Sequence, residues 1–208
     1  MKKDDASMVS VPSVISTTES SRSSHGSGKH KKRTSKSRSK SKTHEGSSLD
    51  LTVPAADEIS PNEKIIADYL ATLNRHGSVE EMLTFFASPD VEVAPEDAPA
   101  VPASVFAQIL VDCYLSFQDM SFDGHSIKEI RPGVVYLEDN VVTGTHTGVP
   151  YQPLPSLPPV PASGKYVVLD PERVYFTMEN GKITRMEVIA LGCNSGVTGL
   201  YTLAGGKM

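Results

Sequence analysis

Tryptophan is absent from the 208 residues, cysteine occurs twice, and the aromatic complement is seven tyrosines and six phenylalanines. No apolar run approaches the roughly 20 residues that a membrane-spanning helix needs, so an integral helical membrane protein is excluded. Cys113 and Cys193 are too few for a disulfide scaffold and lack the spacing of a zinc or redox motif. They read as small apolar residues in a reducing compartment. Of the body's histidines, His76 and His125 fall in expected turns, so no metal site is expected. The glycines match neither a dinucleotide-binding nor a phosphate-binding loop, and no cofactor is expected. A secretory signal is missing too: Ala6–Ser16 has no unbroken apolar core, and Asp4 and Asp5 precede it. Those acids also argue against a mitochondrial transit peptide, which leaves a cytoplasmic reading.

What is there is unevenly spread. Residues 1–50 hold 11 Lys and Arg against 5 Asp and Glu, and 15 of them are serine. Residues 51–208 hold 9 basic and 20 acidic residues and every aromatic side chain. A Ser- and Lys-rich segment without aromatics cannot bury enough apolar surface to offset its ordering entropy. A disordered tail is therefore expected over residues 1–57, and one folded domain over 58–208. The run Lys29–Lys42 fits a nuclear address, an anionic-surface contact or a phosphorylation-tuned switch, beside the plain reading of a solvated extension. The acidic body is a poor partner for a phosphate backbone, which leaves at most weak nucleic-acid contact through the tail.

The body opens with three helices. Ser60-Pro61-Asn62-Glu63 is a capping box with proline at the first helical position, and Ile65, Ile66, Tyr69, Leu70 and Leu73 follow as one stripe that ends at Gly77. Ser78-Val79-Glu80-Glu81 repeats the box before Met82, Leu83, Phe85 and Phe86. A short strand is expected over Val91–Ala94. A third helix is expected from about Pro102 to Gln118, with Phe106, Ile109, Leu110, Cys113 and Phe117 on one face. After Met120 the pattern is short β-branched runs: Ser126–Arg131, Val134–Glu138, Val141–Thr147, Lys165–Leu169, Glu172–Met178 and Ile183–Leu191. Pro132-Gly133, Asp139-Asn140 and Asn180-Gly181 punctuate them as turns. Helices followed by an antiparallel meander predict an α+β fold. Val149–Ser163 carries six prolines in fifteen residues and reads as a stiff extended loop. No element is assigned to the glycine-rich end, Gly192–Met208.

Gly144-Thr145-His146-Thr147-Gly148, then Ser163-Gly164-Lys165, then Glu179-Asn180-Gly181-Lys182-Ile183 resembles the SnoaL-like branch of the NTF2-like superfamily over about residues 60–191. The resemblance implies a cone-shaped α+β barrel, three N-terminal helices on a curved antiparallel sheet, around an apolar cavity. Members include polyketide cyclases and ketosteroid isomerases as well as non-catalytic binding modules. The chain departs from the catalytic members: Ala94 precedes Pro95 where isomerases carry a general-base Asp, and Val174 stands where cyclases often carry an acid.

The candidate site residues follow from strand and helix faces. His146 alternates with Val142, Gly144 and Gly148, and the bare glycines leave room beside the ring for a ligand or a helix. An imidazole there suits proton exchange at neutral pH; the plain alternative is a structural histidine bonded to backbone. Glu92 shares a face with Ala94 on the strand that bears the isomerase base, and Glu172 shares one with Val174, Phe176 and Met178. A carboxylate at an apolar cavity has its pKa raised and can act as acid or base; the alternative is a strand-end residue reaching water. Tyr69 lies on the inward stripe where isomerase relatives place an oxyanion-stabilising tyrosine. Tyr114, Phe117 and Phe176 are expected to line the cavity, and Tyr151 or Leu154 to turn toward it from the proline loop, which is expected to cover the mouth. Its PxxP spacings also fit an SH3- or WW-type partner. The expected function is binding of an apolar small molecule, with acid–base chemistry on a carbonyl compound by His146 and Glu92. The alternative is a non-catalytic interaction module that dimerises through its sheet.

Overall fold

The computed structural model describes residues 59–208 apart from Asp97. The expected tail over residues 1–57, its basic run and its boundary with the body lie outside the described residues.

Both expected capping boxes form. Ser60 Oγ accepts the Glu63 amide at 3.1 Å while the Glu63 carboxylate accepts the Ser60 amide at 2.8 Å, starting α1 (Pro61–Asn74). Ser78 and Glu81 do the same for α2 (Val79–Leu83). Each box satisfies two amides that a helix start leaves open, worth about 1 kcal/mol. His76, at φ 57, provides the left-handed residue after α1, and the Gly77 amide reaches back to Thr72 O. The stop therefore falls at the histidine rather than the glycine.

α3 (Ala103–Ser116) lies within its expected bounds, behind the short strands β1 (Glu92–Pro95) and β2 (Val101–Pro102). The other strands are β3 (Ser121–Arg131), β4 (Val134–Thr145), β5 (Tyr166–Val168), β6 (Glu172–Glu179) and β7 (Lys182–Ala190). They form one sheet in the order β2-β1-β7-β6-β4-β3, with β5 added to β4. The expected all-antiparallel meander needs correcting at one edge, because β1 runs parallel to β7. Asn180 (φ 50) and Gly181 (φ 71) make the tight turn between β6 and β7, as a two-residue hairpin requires. The turn expected at Asp139-Asn140 does not exist. β4 runs through it, with Asp139 at φ 50, Asn140 buried and the register to β6 shifted between Leu137 and Asn140. An aspartate tolerates the left-handed region, so the residue bulges the strand and bends it without reversing the chain.

α1 packs on β3 and β4, and the core lies between the helices and the inner sheet face. Ile66, Met82, Val93, Phe117, Val135 and Ile183 have no accessible surface. Such side chains border no void that admits water, so the interior is close-packed around them.

The glycine-rich end forms a fourth helix, α4 (Gly196–Ala204), which the sequence reading did not assign. Its first-turn amide, Gly196 N, donates to Glu172 Oε1 at 3.0 Å, since the preceding Ser195 caps nothing with its side chain. Burial holds the Glu172 carboxyl above the usual carboxylate range, against the opposing pull of that amide and of the neighbouring Asn140 side chain.

Two outcomes follow. A Cβ on Gly148 would meet Leu115 O at 1.9 Å; Gly148→Ala should therefore cost about 3 kcal/mol in chemical denaturation. For Glu172 the folded value is raised, so the stability contributed by its protonated form is present in acid and lost as pH rises through that value. Glu172→Gln keeps an acceptor for Gly196 and removes the buried charge. It should match or exceed the parent at neutral pH, with the gap closing toward about pH 4. Glu172→Ala should lose about 1 kcal/mol because the amide is left without an acceptor. Urea titrations at several pH values check both.

Candidate functional site

Four segments meet around His146: the exit of β4, the end of α3, the proline loop and α4. The histidine is held by its backbone, which donates to Lys165 O and accepts from Gly164 N, both at 2.9 Å. Its ring is fully buried and stacks on Phe117 at a centroid distance of 5.1 Å and 28°. Nδ1 lies 3.3 Å from Ser163 Oγ, while the buried Nε2 has no hydrogen-bond partner among the described residues. The space beside the flanking glycines is taken by the helix. A Cβ on Gly144 would meet Phe117 Cβ at 3.2 Å, and Gly148 lies against the α3 backbone.

Tyr151 enters the same cluster from the loop. Its ring is 4 % exposed and stands edge-on to Phe117 at 5.2 Å and to His146 at 6.4 Å. Its hydroxyl donates to Val197 O of α4 at 3.1 Å and lies 3.6 Å from Cys113 Sγ of α3. Burial raises both the Tyr151 phenol and the Cys113 thiol, the latter to about 11. Both are neutral at physiological pH, and the thiol is a packed group rather than a nucleophile. Outside Tyr151 a cavity of about 240 Å³ opens between α3, the loop and α4, lined by Ile109, Cys113, Leu115, Pro150, Tyr151 and Val197 among others.

Of the expected site residues, His146, Phe117 and Tyr151 are brought together. Tyr69 and Phe176 form a second cluster with Phe85 and Phe86, in which the Tyr69 ring lies 5.4 Å from Phe85, 5.7 Å from Phe86 and 6.2 Å from Phe176. Phe176 pairs with Val135, whereas His146 follows Thr145 on the same strand. The two clusters are thus separated by about 35 Å of strand path. Tyr114 bonds Leu73 O at 3.2 Å and stacks on His76. Leu154 is 42 % exposed and is not among the residues that line the cavity. Glu92 sits on the far strand β1 with its side chain half exposed, 2.6 Å from Arg185 Nη1. The expected pairing of His146 with Glu92 therefore does not occur, because β7 and β6 stand between β1 and β4. Glu172 lies on the inner face, as expected, at the start of α4.

The sequence reading missed the α4 wall. Its signal was present: Val197, Leu200, Tyr201 and Ala204 recur at helical spacing, with Gly205 at φ 117 as the stop. Gly196 and Gly199 obscured it.

No family model matches the sequence, and no curated protein matches it. Solved structures do. AclR of Streptomyces galilaeus, a candidate hydroxylase, superposes with a TM-score of 0.54 at 18% identity, covering 71% of this chain and 83% of its own. A candidate SnoaL-like polyketide cyclase from Jannaschia sp. gives 0.51 at 14% identity, covering 72% and 99%. A candidate polyketide cyclase from Xanthomonas campestris gives 0.50 at 21% identity, covering 70% and 97%. At these identities it is the backbone plan that is held in common: the chain has the α+β fold of the SnoaL-like branch of NTF2-like proteins.

Proposed function

We propose that the domain binds a small, largely apolar molecule in the region framed by α3, the proline loop and α4, with His146 as its polar anchor. The observation that carries this reading is the Nε2 of a fully buried imidazole, which has no partner among the described residues. Leaving such a nitrogen unmet costs about 1–3 kcal/mol, and a ligand oxygen would recover it. The cavity beside the cluster mixes apolar walls from Ile109, Leu115, Pro150 and Val197 with the polar Asp112, Ser116 and Gln152, and Tyr151 joins it to the His146 cluster, which does not itself line it. The reading is one of binding without turnover. Acid–base work needs a second group in reach, and among the described residues His146 has no bond or ion pair with a carboxylate.

A second reading is favoured by the outer sheet face. Tyr166 is 64 % and Val168 50 % exposed there, and the Tyr136 and Tyr175 rings lie 5.0 Å apart, tilted by 38°, on the same face. A second copy of the chain, placing the same strands face to face, would bury these groups.

Substitution separates a binding histidine from a structural one. His146→Phe keeps the stack on Phe117 and removes the unmet nitrogen. The variant should be as stable as the parent in urea titrations and should lose the melting-temperature rise that a library of apolar carbonyl and phenolic compounds gives the parent. A loss above about 2 kcal/mol in stability would make the ring a structural element. For the second reading, Tyr166→Glu with Val168→Glu should convert a dimer to a monomer in light scattering. A parent that is monomeric at high concentration rules that reading out.

A further inference from the structure

The phenol of Tyr151 already sits where the proposed ligand would go, and its contacts describe what that site accepts. The ring is clasped edge-on by Phe117 and His146, and the hydroxyl donates to Val197 O with Cys113 Sγ beside it. We propose that Tyr151 is a displaceable occupant: the loop swings its ring outward, and a free phenol takes its place. This rests on the ligand-binding reading for the place of the site, the region between α3, the loop and α4, and not on the Nε2 bond; it adds the chemical class of the ligand and the motion that admits it.

The loop is built for such a swing. Its root is fixed, since Gly148 N and Val149 N donate to Ser116 O and Leu115 O at 3.0 Å each. Beyond the root, six prolines remove amide donors, and few bonds hold the segment. Tyr151 and Val160 exchange two backbone bonds of 2.9 Å, Gln152 Nε2 reaches Leu157 O, and Tyr201 reaches Pro158 O. At the far root Gly164, at φ 66, is tied to His146 O through its amide at 2.9 Å, so the segment that swings is the one between Val149 and Ser163. The cavity outside Tyr151 supplies the path by which the ring leaves. A phenol entering behind it meets the same carbonyl, the same thiol and the same two rings. An aromatic hydrocarbon of equal size leaves Val197 O without the donor that Tyr151 gives it. Because the occupant belongs to the protein, the apparent affinity of a free phenol is the intrinsic affinity multiplied by the fraction of molecules in which the loop is open.

The probe is p-cresol, the side chain of tyrosine as a free molecule, with toluene as its match lacking the hydroxyl. Titrated into the full chain, p-cresol should raise the melting temperature and speed amide hydrogen exchange at Tyr151 and Val160, whose mutual bonds must open. Tyr151→Phe keeps the ring but loses the hydroxyl latch to Val197, and should bind p-cresol roughly fivefold to tenfold more tightly than the parent. Tyr151→Ala, where it folds, should bind more tightly still and prefer p-cresol over toluene at least fivefold. If p-cresol binds while both amides keep their protection, or if Tyr151→Phe binds no more tightly, the displaceable occupant is wrong even though a ligand site exists. If neither parent nor variants respond to p-cresol, the phenol assignment is wrong, and the compound library of the preceding section decides whether any ligand site remains.

Discussion

Two backbone hydrogen bonds at the end of α3, Gly148 N to Ser116 O and Val149 N to Leu115 O, organise everything around His146. A helix leaves its last carbonyls without partners, and here the chain leaving β4 supplies donors to two of them. The approach is possible because residue 148 has no side chain, since a Cβ would stand 1.9 Å from Leu115 O. Once strand exit and helix end are tied, Phe117 has to lie across Gly144 and under the His146 ring. Pro150 then launches the loop over the helix end and sets Tyr151 beside Cys113. The cluster follows from this closure.

Much of the frame was legible because local signals agreed with it. The two capping boxes, the Ile66/Tyr69/Leu73 stripe and the Asn180-Gly181 turn each have one low-energy reading, and the tertiary structure uses it. The failures share a cause as well. Asp139-Asn140 reads as a turn from composition, yet packing on both sides of β4 holds the strand through it, and only a bulge remains. Gly196 and Gly199 lower helix propensity enough to hide α4. The helix forms because Glu172 caps it and Leu200 and Tyr201 are buried. Within the site, the face of His146 was readable from alternation. What could not be read was that helix backbone, and not a ligand, fills the space beside its glycines, because that depends on the docking of α3. Pairing Glu92 with His146 fails for a similar reason. Strand order places them at distant parts of the sheet, and alternation says nothing about strand order.

The proline loop and α4 hold one another through tyrosines. Tyr151 of the loop donates to Val197 O of α4, and Tyr201 of α4 donates to Pro158 O of the loop. A segment rich in proline has few amide donors but a full set of carbonyls, so beyond the Tyr151–Val160 pair it is bonded by donors from elsewhere. A phenol meets that need while its ring is buried among apolar groups. The same chemistry makes the contact replaceable. Each latch is a single hydroxyl bond worth about 1 kcal/mol, unlike the many cooperative bonds of a strand.

The buried polar atoms left without partners mark where the fold departs from what stability alone would select. Among the described residues these are Asn140 Oδ1, His146 Nε2 and Arg173 Nε. Two of the three lie on the inner face of β4, one just after its bulge and one at its exit, with Val142 and Gly144 between them. An apolar ring in place of His146 would remove a penalty of about 1–3 kcal/mol, and at Asn140 the same gain would be set against the loss of its amide beside Glu172. The frame does not need them. The β4 bulge is made by the backbone of Asp139, and the exit of the strand is tied by amides at 148 and 149. An imidazole enclosed by Phe117 and Tyr151, with one nitrogen bonded to Ser163 and the other without a partner among the described residues, is therefore a group with a hydrogen bond still to make, the bond that the proposed ligand would supply.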